Sequence, residues 1–440
     1  MTAEKPTIPK PPKRITNDDL YRRSTQYRFW SFTITELQDL RTVSNKKGLK
    51  KVKDTISALD KTLPEAQVLD PENFPMVTQE EELSLVTFFA RKCVDLANYF
   101  RLPAQVKATA VSYLYKFFLH HSVMEFQPQY IMYTCLFLAA KTENNFIGIR
   151  KFVENIPKTT AEQVLQNEYL LLETMKFSLA VHHPYQPLYG FYLDVQVLLP
   201  KLGKSQTWGY VYDNARQLVH ESLFTNLKFC YTPPQIALAC LWMSKEHKDD
   251  PDDHKGELIL KRYLAKKFGV KKKKGPPNAA SSGTGTVAVK QEELVSIKEE
   301  TDAGTTKDQK DGNSNEEVNL KVEGKDNEQK EGEAENNNND EQEEEKPKRL
   351  TPEEHYSKII KIIEECVVEI AASRSRNIDT ESMRAISHKT RFCLNPLRYG
   401  KVLLRQQSQN GSTPAGANIP ELKRKADDIS SGSDLKRPKV

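Results

Sequence analysis

The sequence predicts an all-α fold: two tandem five-helix repeats with extra N-terminal and C-terminal helices and a long disordered insertion. Three observations predict it. First, YIMYTCLFLAA (Tyr130–Ala140) and IALACLWM (Ile236–Met243) are apolar on every face, as central core helices are. Both are too short to span a bilayer. Second, a shift of 105 positions lays Pro128, Ile131, Cys135 and Leu136 on Pro233, Ile236, Cys240 and Leu241. The same shift lays Val106, Ala110, Leu114 and Phe118 on Val211, Ala215, Val219 and Leu223, so two helices match in the same order. Third, residues 270–350 are rich in Lys, Gly, Ser, Asn and Glu with almost no aromatics, and cannot bury enough apolar surface to offset their ordering entropy.

Along the chain, residues 1–20 read as a loose arm rich in proline, lysine and threonine. Residues 21–77 hold an N-terminal helix and a linker. The helix starts at the Thr33/Glu36 capping box, with Leu37, Leu40 and Val43 at helical spacing. Just upstream, Tyr27, Phe29, Trp30 and Phe32 are too apolar to stay in solvent and should pack on the body or on a partner. The first repeat covers 78–180. Thr78 and Glu81 cap a helix to about Phe100, Pro103 opens a second, and Pro128 opens the core helix. A short helix is expected near Phe146–Glu154, then a long one from Thr159/Thr160 to about Met175. The second repeat covers 181–269 plus 351–375, because Thr351-Pro352-Glu353-Glu354 caps a helix striped by Ile359, Ile362, Ile363, Cys366 and Ile370. Loop closure grows only logarithmically with length, so this displacement of the last helix costs roughly 2 kcal/mol. Residues 376–440 form a C-terminal extension with a disordered tail beyond about Gln406.

Composition narrows the function. Only 38% of residues are hydrophobic, low for a wholly folded chain of 440. The net charge of +5 hides an asymmetry: Gln291–Glu345 holds 20 acidic residues against 6 lysines, and the remainder is strongly basic. Of the six cysteines, Cys93, Cys135, Cys240 and Cys366 lie in apolar helical patterns and read as small buried hydrophobes. No C-x-x-C occurs, which argues against a zinc ribbon, and cysteine usage fits a reducing compartment. The start of the chain lacks the apolar segment of a signal peptide. Enzyme motifs are missing. Gly203-Lys204-Ser205 resembles the end of a P-loop, but position 198 is Leu. His247 with Asp249, Asp250, Asp252, Asp253 and His254 could ligate a metal but reads as a solvated loop. His120-His121 and His182-His183 read as structural. No cofactor, metal, membrane or direct nucleic-acid contact is expected. Lys423, Arg424 and Lys425 with Lys436, Arg437 and Lys439 have the spacing of a bipartite nuclear import signal. Lys290, Lys298 and Lys321 each sit in an aliphatic-Lys-x-Glu pattern, the form of a SUMO acceptor.

SVMEFQPQYIMYTCLFLAAKTEN (Ser122–Asn145), NEYLLLETMKFSLAVHHPYQPLYGF (Asn167–Phe191) and CYTPPQIALACL (Cys230–Leu241) resemble the paired cyclin boxes of the cyclin family. The Val181–Pro187 segment resembles its cyclin H branch, among the C/H-type transcriptional cyclins. The resemblance covers residues 20–268 and 351–373. It implies a non-catalytic regulatory subunit that binds and activates a cyclin-dependent protein kinase, the CDK-activating kinase of TFIIH. The implied partners are that kinase, a RING-finger assembly subunit and the TFIIH core. The implied activities are RNA polymerase II C-terminal-domain phosphorylation in transcription initiation, cell-cycle kinase activation, and residence in the nucleus. By the same resemblance Lys141 and Glu168 match a pair holding the kinase-binding loop, and Leu138, Leu172, Phe177 and Leu179 match the apolar positions on which the kinase's regulatory helix packs. Part of the surface of Leu138 and Phe177 should face that partner. The family's Met-Arg…Asp-Trp signature is only half present, as Arg91 and Asp95, so its substrate-docking patch does not carry over. Alternatives are an elongation-type cyclin of the C, K or T kind, a TFIIB-like DNA-binding factor, and a scaffold without a kinase.

Overall fold

The computed structural model describes residues 21–60, 70, 72–203, 205–247, 253–270, 351–375 and 379–410, and these are helical with connecting turns. A short α1 (Thr25–Trp30) and long α2 (Ile34–Asp60) precede the first repeat. That repeat contains α3 (Gln79–Tyr99), α4 (Ala104–His120), α5 (Pro128–Thr142), α6 (Ile149–Glu154), α7 (Ala161–Leu165) and α8 (Glu168–Thr174). The second contains α9 (Tyr185–Leu198), α11 (Gln206–Ser222), α13 (Pro233–Met243), α14 (Lys255–Phe268) and α15 (Pro352–Ser375), with single turns α10 (Pro200–Gly203) and α12 (Leu227–Cys230) as connectors. Two further helices, α16 (Thr380–Leu394) and α17 (Pro396–Asn410), follow.

Each repeat has its own apolar core, and each core is built round the helix that is apolar on all sides. In α5, every residue from Ile131 to Ala140 is buried, and α3 and α4 pack across it. In α13, Ile236 through Leu241 are buried against α9, α11, α14 and α15. The helix starts follow local chemistry. At Thr33, Thr78 and Thr351 the backbone N–H donates to a glutamate three residues on, at 2.8, 3.0 and 2.7 Å. Those bonds satisfy donors that a helix leaves unpaired at its N-terminus. Gly269 ends α14 in the left-handed region (φ 68), and the ring of Phe268 stacks on His355, so the chain re-enters beside the point where it leaves.

Several expectations change. The long helix expected from Thr159/Thr160 to Met175 is two segments, because Asn167 leaves helical geometry (φ −95, ψ 1) and starts α8 anew. Pro103 precedes α4 as its N-cap, leaving Ala104 as the first helical residue. The aromatic cluster at 27–32 packs on the body: α1 buries Trp30, and Phe32 N–H donates to Phe229 O at 2.8 Å. The C-terminal extension is helical through Asn410, and α16 packs on α3 while α17 packs on α2. Outside Tyr399 and a few aliphatics α17 is polar, so its sequence pattern resembles a solvated tail. All six cysteines are free thiols, with Cys93, Cys135, Cys240, Cys366 and Cys393 buried. The arm 1–20, the insertion and the basic tail clusters lie outside the described residues, as do Lys290, Lys298 and Lys321. Among the described residues no helix is long and apolar enough to cross a membrane, and no His/Cys/Asp/Glu group is placed to hold a metal. Asp253 accepts from the N–H groups of His247 (2.7 Å) and Lys255 (2.9 Å), while Asp249, Asp250 and Asp252 lie outside the described residues.

Candidate partner-binding face

The C-terminus of α5, the α8 helix and the segment leading to α9 meet on one side of the first repeat. Lys141, in the last turn of α5, donates from Nζ to Glu168 Oε1 at the first position of α8. Each charge is favourably placed, since a lysine complements the negative end of a helix and a glutamate the positive end. Lys141 also lies over the Phe137 ring, 4.8 Å from its centroid. The pair is half-buried rather than freely solvated.

Around this pair the surface is unusually apolar. Phe146 is 75% exposed, Tyr169 70% and Phe177 64%. Tyr169 and Phe177 touch edge to face with centroids 6.4 Å apart. Phe146 follows the end of α5, and Tyr169 and Phe177 adjoin Glu168, so three large aromatic side chains are exposed on the segments that carry the ion pair. Leu172 and Leu179 are partly buried and pack on the first core. Leu138 is only 4% exposed and lies beneath this surface in the first core. Sequence reasoning found Phe177 but passed over Phe146 and Tyr169. The available signal was an aromatic residue off the buried stripe of a short helix, at Tyr169 beside Glu168.

The frame is rigid. Asn144 takes a left-handed backbone (φ 56), which lets Asn145 N–H reach back to Ala140 O at 2.8 Å and stop α5 just past Lys141. Lys176 and Phe177 are both left-handed (φ 53), and Phe177 N–H donates to Leu172 O at 2.9 Å. Bulky residues in that region are strained and persist only where surrounding structure imposes them. The next stretch is held from behind: Tyr113 donates to Leu179 O at 2.7 Å, and Thr109 hydrogen-bonds both Glu143 (2.6 Å) and the His183 ring (2.8 Å). Burial pushes the His183 pKa down to about 3, so the ring is neutral in this network. At the margin, Lys176 lies 5.1 Å over the Phe29 ring, which joins α1 to the face. Exposed aromatics, an ion pair and a left-handed, hydrogen-bonded turn thus lie on neighbouring segments of the first repeat.

Residues 52–180 match the cyclin N-terminal domain family, and residues 183–369 match the cyclin C-terminal domain family. The chain is 41% identical over 265 residues to cyclin CCL1 of Saccharomyces cerevisiae, covering 59% of this chain and 64% of that one. It therefore spans just under two thirds of the yeast relative's length. It is 30% identical over 231 residues to cyclin-H of Xenopus laevis, covering 50% of this chain and 67% of the relative. The fold also matches a chain from a structure of the CAK complex of Chaetomium thermophilum bound to ATP-gamma-S, with a TM-score of 0.57 and 20% identity over 92% of this chain and 100% of that one. Two matched domains, two cores at one offset and the relatives' identities agree: the chain belongs to the cyclin family, in its cyclin H branch, and as a cyclin it is a non-catalytic regulatory subunit of a protein kinase.

Proposed function

We propose that this chain activates the CDK-activating kinase of TFIIH by docking the face built on Lys141, Glu168, Phe177 and their aromatic neighbours against the kinase's regulatory helix. The kinase, a RING-finger assembly subunit and the TFIIH core are its partners, and phosphorylation of the RNA polymerase II C-terminal domain is the output. Cell-cycle kinase activation loops are a second class of substrate. The observation that carries this reading is the half-buried Lys141–Glu168 pair inside an exposed aromatic rim.

The physics is population shift. A protein kinase needs its strand lysine and regulatory-helix glutamate paired to hold ATP. A surface that fits only the paired state draws the kinase into it. Moving such an equilibrium from 1:99 to 99:1 takes about 5.5 kcal/mol of differential binding. Burying Phe146, Tyr169 and Phe177 supplies roughly 1.5–3 kcal/mol each, enough for that task. Lys141 and Glu168 add direction: their remaining donors and acceptors can cap backbone groups of the incoming helix, which stay unpaired without them.

The test mixes purified chain with the kinase and measures phosphorylation of a C-terminal-domain peptide. Lys141→Ala with Glu168→Ala should lower stimulation at least about tenfold at fixed concentration, while helicity and melting temperature hold. Phe177→Ala should weaken kinase binding by a factor of roughly 10–100. Unchanged stimulation in both variants would remove the assignment of this face. The tail clusters at Lys423–Lys425 and Lys436–Lys439 fit import into the nucleus, where such a kinase acts on transcription. Substituting both clusters with glutamine should leave the protein in the cytoplasm. The aliphatic-Lys-x-Glu patterns at Lys290, Lys298 and Lys321 would make the insertion a SUMO acceptor, read out by loss of conjugation in the triple Lys→Arg variant.

A further inference from the structure

A second surface, between the two repeats, has a different chemistry. Tyr185 at the start of α9, Tyr210, Asp213 and Arg216 on α11, Glu221 near its end and Glu246 beyond α13 line an open groove that reaches the N-terminus of α4. Tyr210 is 57% exposed. Three carboxylates face one guanidinium, and burial lowers the pKa of His220 beside them, which favours its neutral ring. Glu221 already sits near Arg91 (3.8 Å), and Glu246 accepts a hydrogen bond from Thr207 at 2.7 Å. A lining with two tyrosines and three carboxylates suits an extended, proline-rich, basic peptide: prolines pack flat on tyrosine rings, and a polyproline helix has little conformational entropy left to lose.

The chain carries such a segment. Residues 5–14 read KPTIPKPPKR, with four prolines, four cations and no acid. The described residues begin at Tyr21, and Tyr21 is anchored at His182, three residues before the groove-lining Tyr185. Its ring packs edge-on to His182 with centroids 5.7 Å apart. Gln26, itself buried, fixes the same point: its Oε1 accepts the His182 N–H at 2.6 Å and its Nε2 donates to the His182 carbonyl at 3.4 Å. Tyr185 follows His182 by three residues, at most about 10 Å along the chain, and residues 15–20 can bridge up to about 20 Å. The segment is therefore within reach of the groove, where three carboxylates stand against the Arg216 guanidinium, with Arg91 already beside Glu221.

We propose that residues 5–14 dock in this groove of their own chain, prolines on Tyr185 and Tyr210 and the cations Lys10, Lys13 and Arg14 toward Asp213, Glu221 and Glu246. The arm then straps α1 to both repeats. A proline-rich basic peptide from another protein would gain the groove only by displacing it.

The experiment uses the full chain. A photocrosslinker is placed at Ile8, and crosslinked peptides are identified by mass spectrometry. The expected product is a monomer whose crosslinks fall on peptides carrying Tyr185 or Tyr210. Crosslinks spread over other surfaces, or found only between two chains, would overturn the proposal. In parallel, trypsin cleavage after Arg14 is timed. Tyr210→Ser with Asp213→Lys, at unchanged helicity and melting temperature, should speed that cleavage at least roughly threefold, and 0.5 M salt should do the same to the unaltered chain. Equal cleavage rates in all three conditions count against the docked arm.

Discussion

Lys116 is a costly residue to bury. It lies in the middle of α4, is 2% exposed, and its Nζ is buried with no hydrogen-bond partner. Its one favourable contact is the Trp30 ring of α1, 4.9 Å away. The neighbours that share its field, His183 and Lys228, are basic as well, and the His120 ring meets Trp30 edge to face. Burial pushes the Lys116 pKa down to about 7 from 10.5. A cation–π contact is worth about 0.5–2 kcal/mol and offsets only part of such a penalty. The sign is then fixed: the unfolded chain holds this proton more tightly than the folded one, so stability rises as pH climbs from about 7 toward 10.5. Lys116→Met should stabilise the fold by on the order of 1–3 kcal/mol at pH 7. The gap should narrow by pH 10, since the Lys116 proton is lost only from the lysine protein, while Lys228, also lowered by burial, titrates in both. His183 titrates far below this window and does not interfere. Melting temperatures of both proteins at pH 7 and pH 10 check it; a gap that widens would reverse the reading.

At the scale of helices, one glutamate joins two elements. Glu81 accepts the Thr78 N–H at 3.0 Å in the capping box of α3, and its other oxygen accepts Lys389 of α16 at 2.6 Å. Beside that ion pair α16 buries Met383, Ile386 and Phe392. Loss of a helix cap costs about 1 kcal/mol and an exposed ion pair about 0.2–1 kcal/mol. Glu81→Ala should therefore destabilise by about 1–2 kcal/mol and Lys389→Ala by less than 1. A double-mutant cycle in urea should give a small positive coupling between them. The α3 half of this joint was legible in the sequence, because T-x-x-E is a local signal completed within four residues. The α16 half was not, because residue 389 meets residue 81 only through tertiary packing. The same division holds elsewhere. Repeats, caps and all-apolar helices are written in short windows, and they placed both cores. The break at Asn167 and the short α1 depend on what surrounds them. At the candidate face, Lys141 and Glu168 emerged through family resemblance. Phe146 and Tyr169 needed the exposure that only folded coordinates give.

At the scale of the whole molecule, the two repeats are coupled by a segment of the second that is buried in the first. Leu223, Phe224 and Phe229 belong by sequence to the second repeat, yet they are part of the first core. The join is polar as well as apolar. Tyr115 donates to Phe224 O at 2.9 Å, Arg41 donates to Asn226 at 2.6 Å, and Lys228 donates to Leu223 O at 2.6 Å while lying over the Tyr115 ring. Phe229 is the centre of this plug, with Phe32 packed on its ring and bonded to its carbonyl. A face that selects one kinase conformation works only if its support does not yield, and the plug makes both cores resist together. Phe229→Ala removes a large buried ring and should cost about 3–5 kcal/mol. Because the loss falls on the joint, scanning calorimetry should resolve one cooperative transition into two, one for each core. Kinase stimulation should fall with it although no residue of the face has changed. If the variant instead melts in a single transition at lower temperature, the repeats share one folding unit and Phe229 is an ordinary core residue.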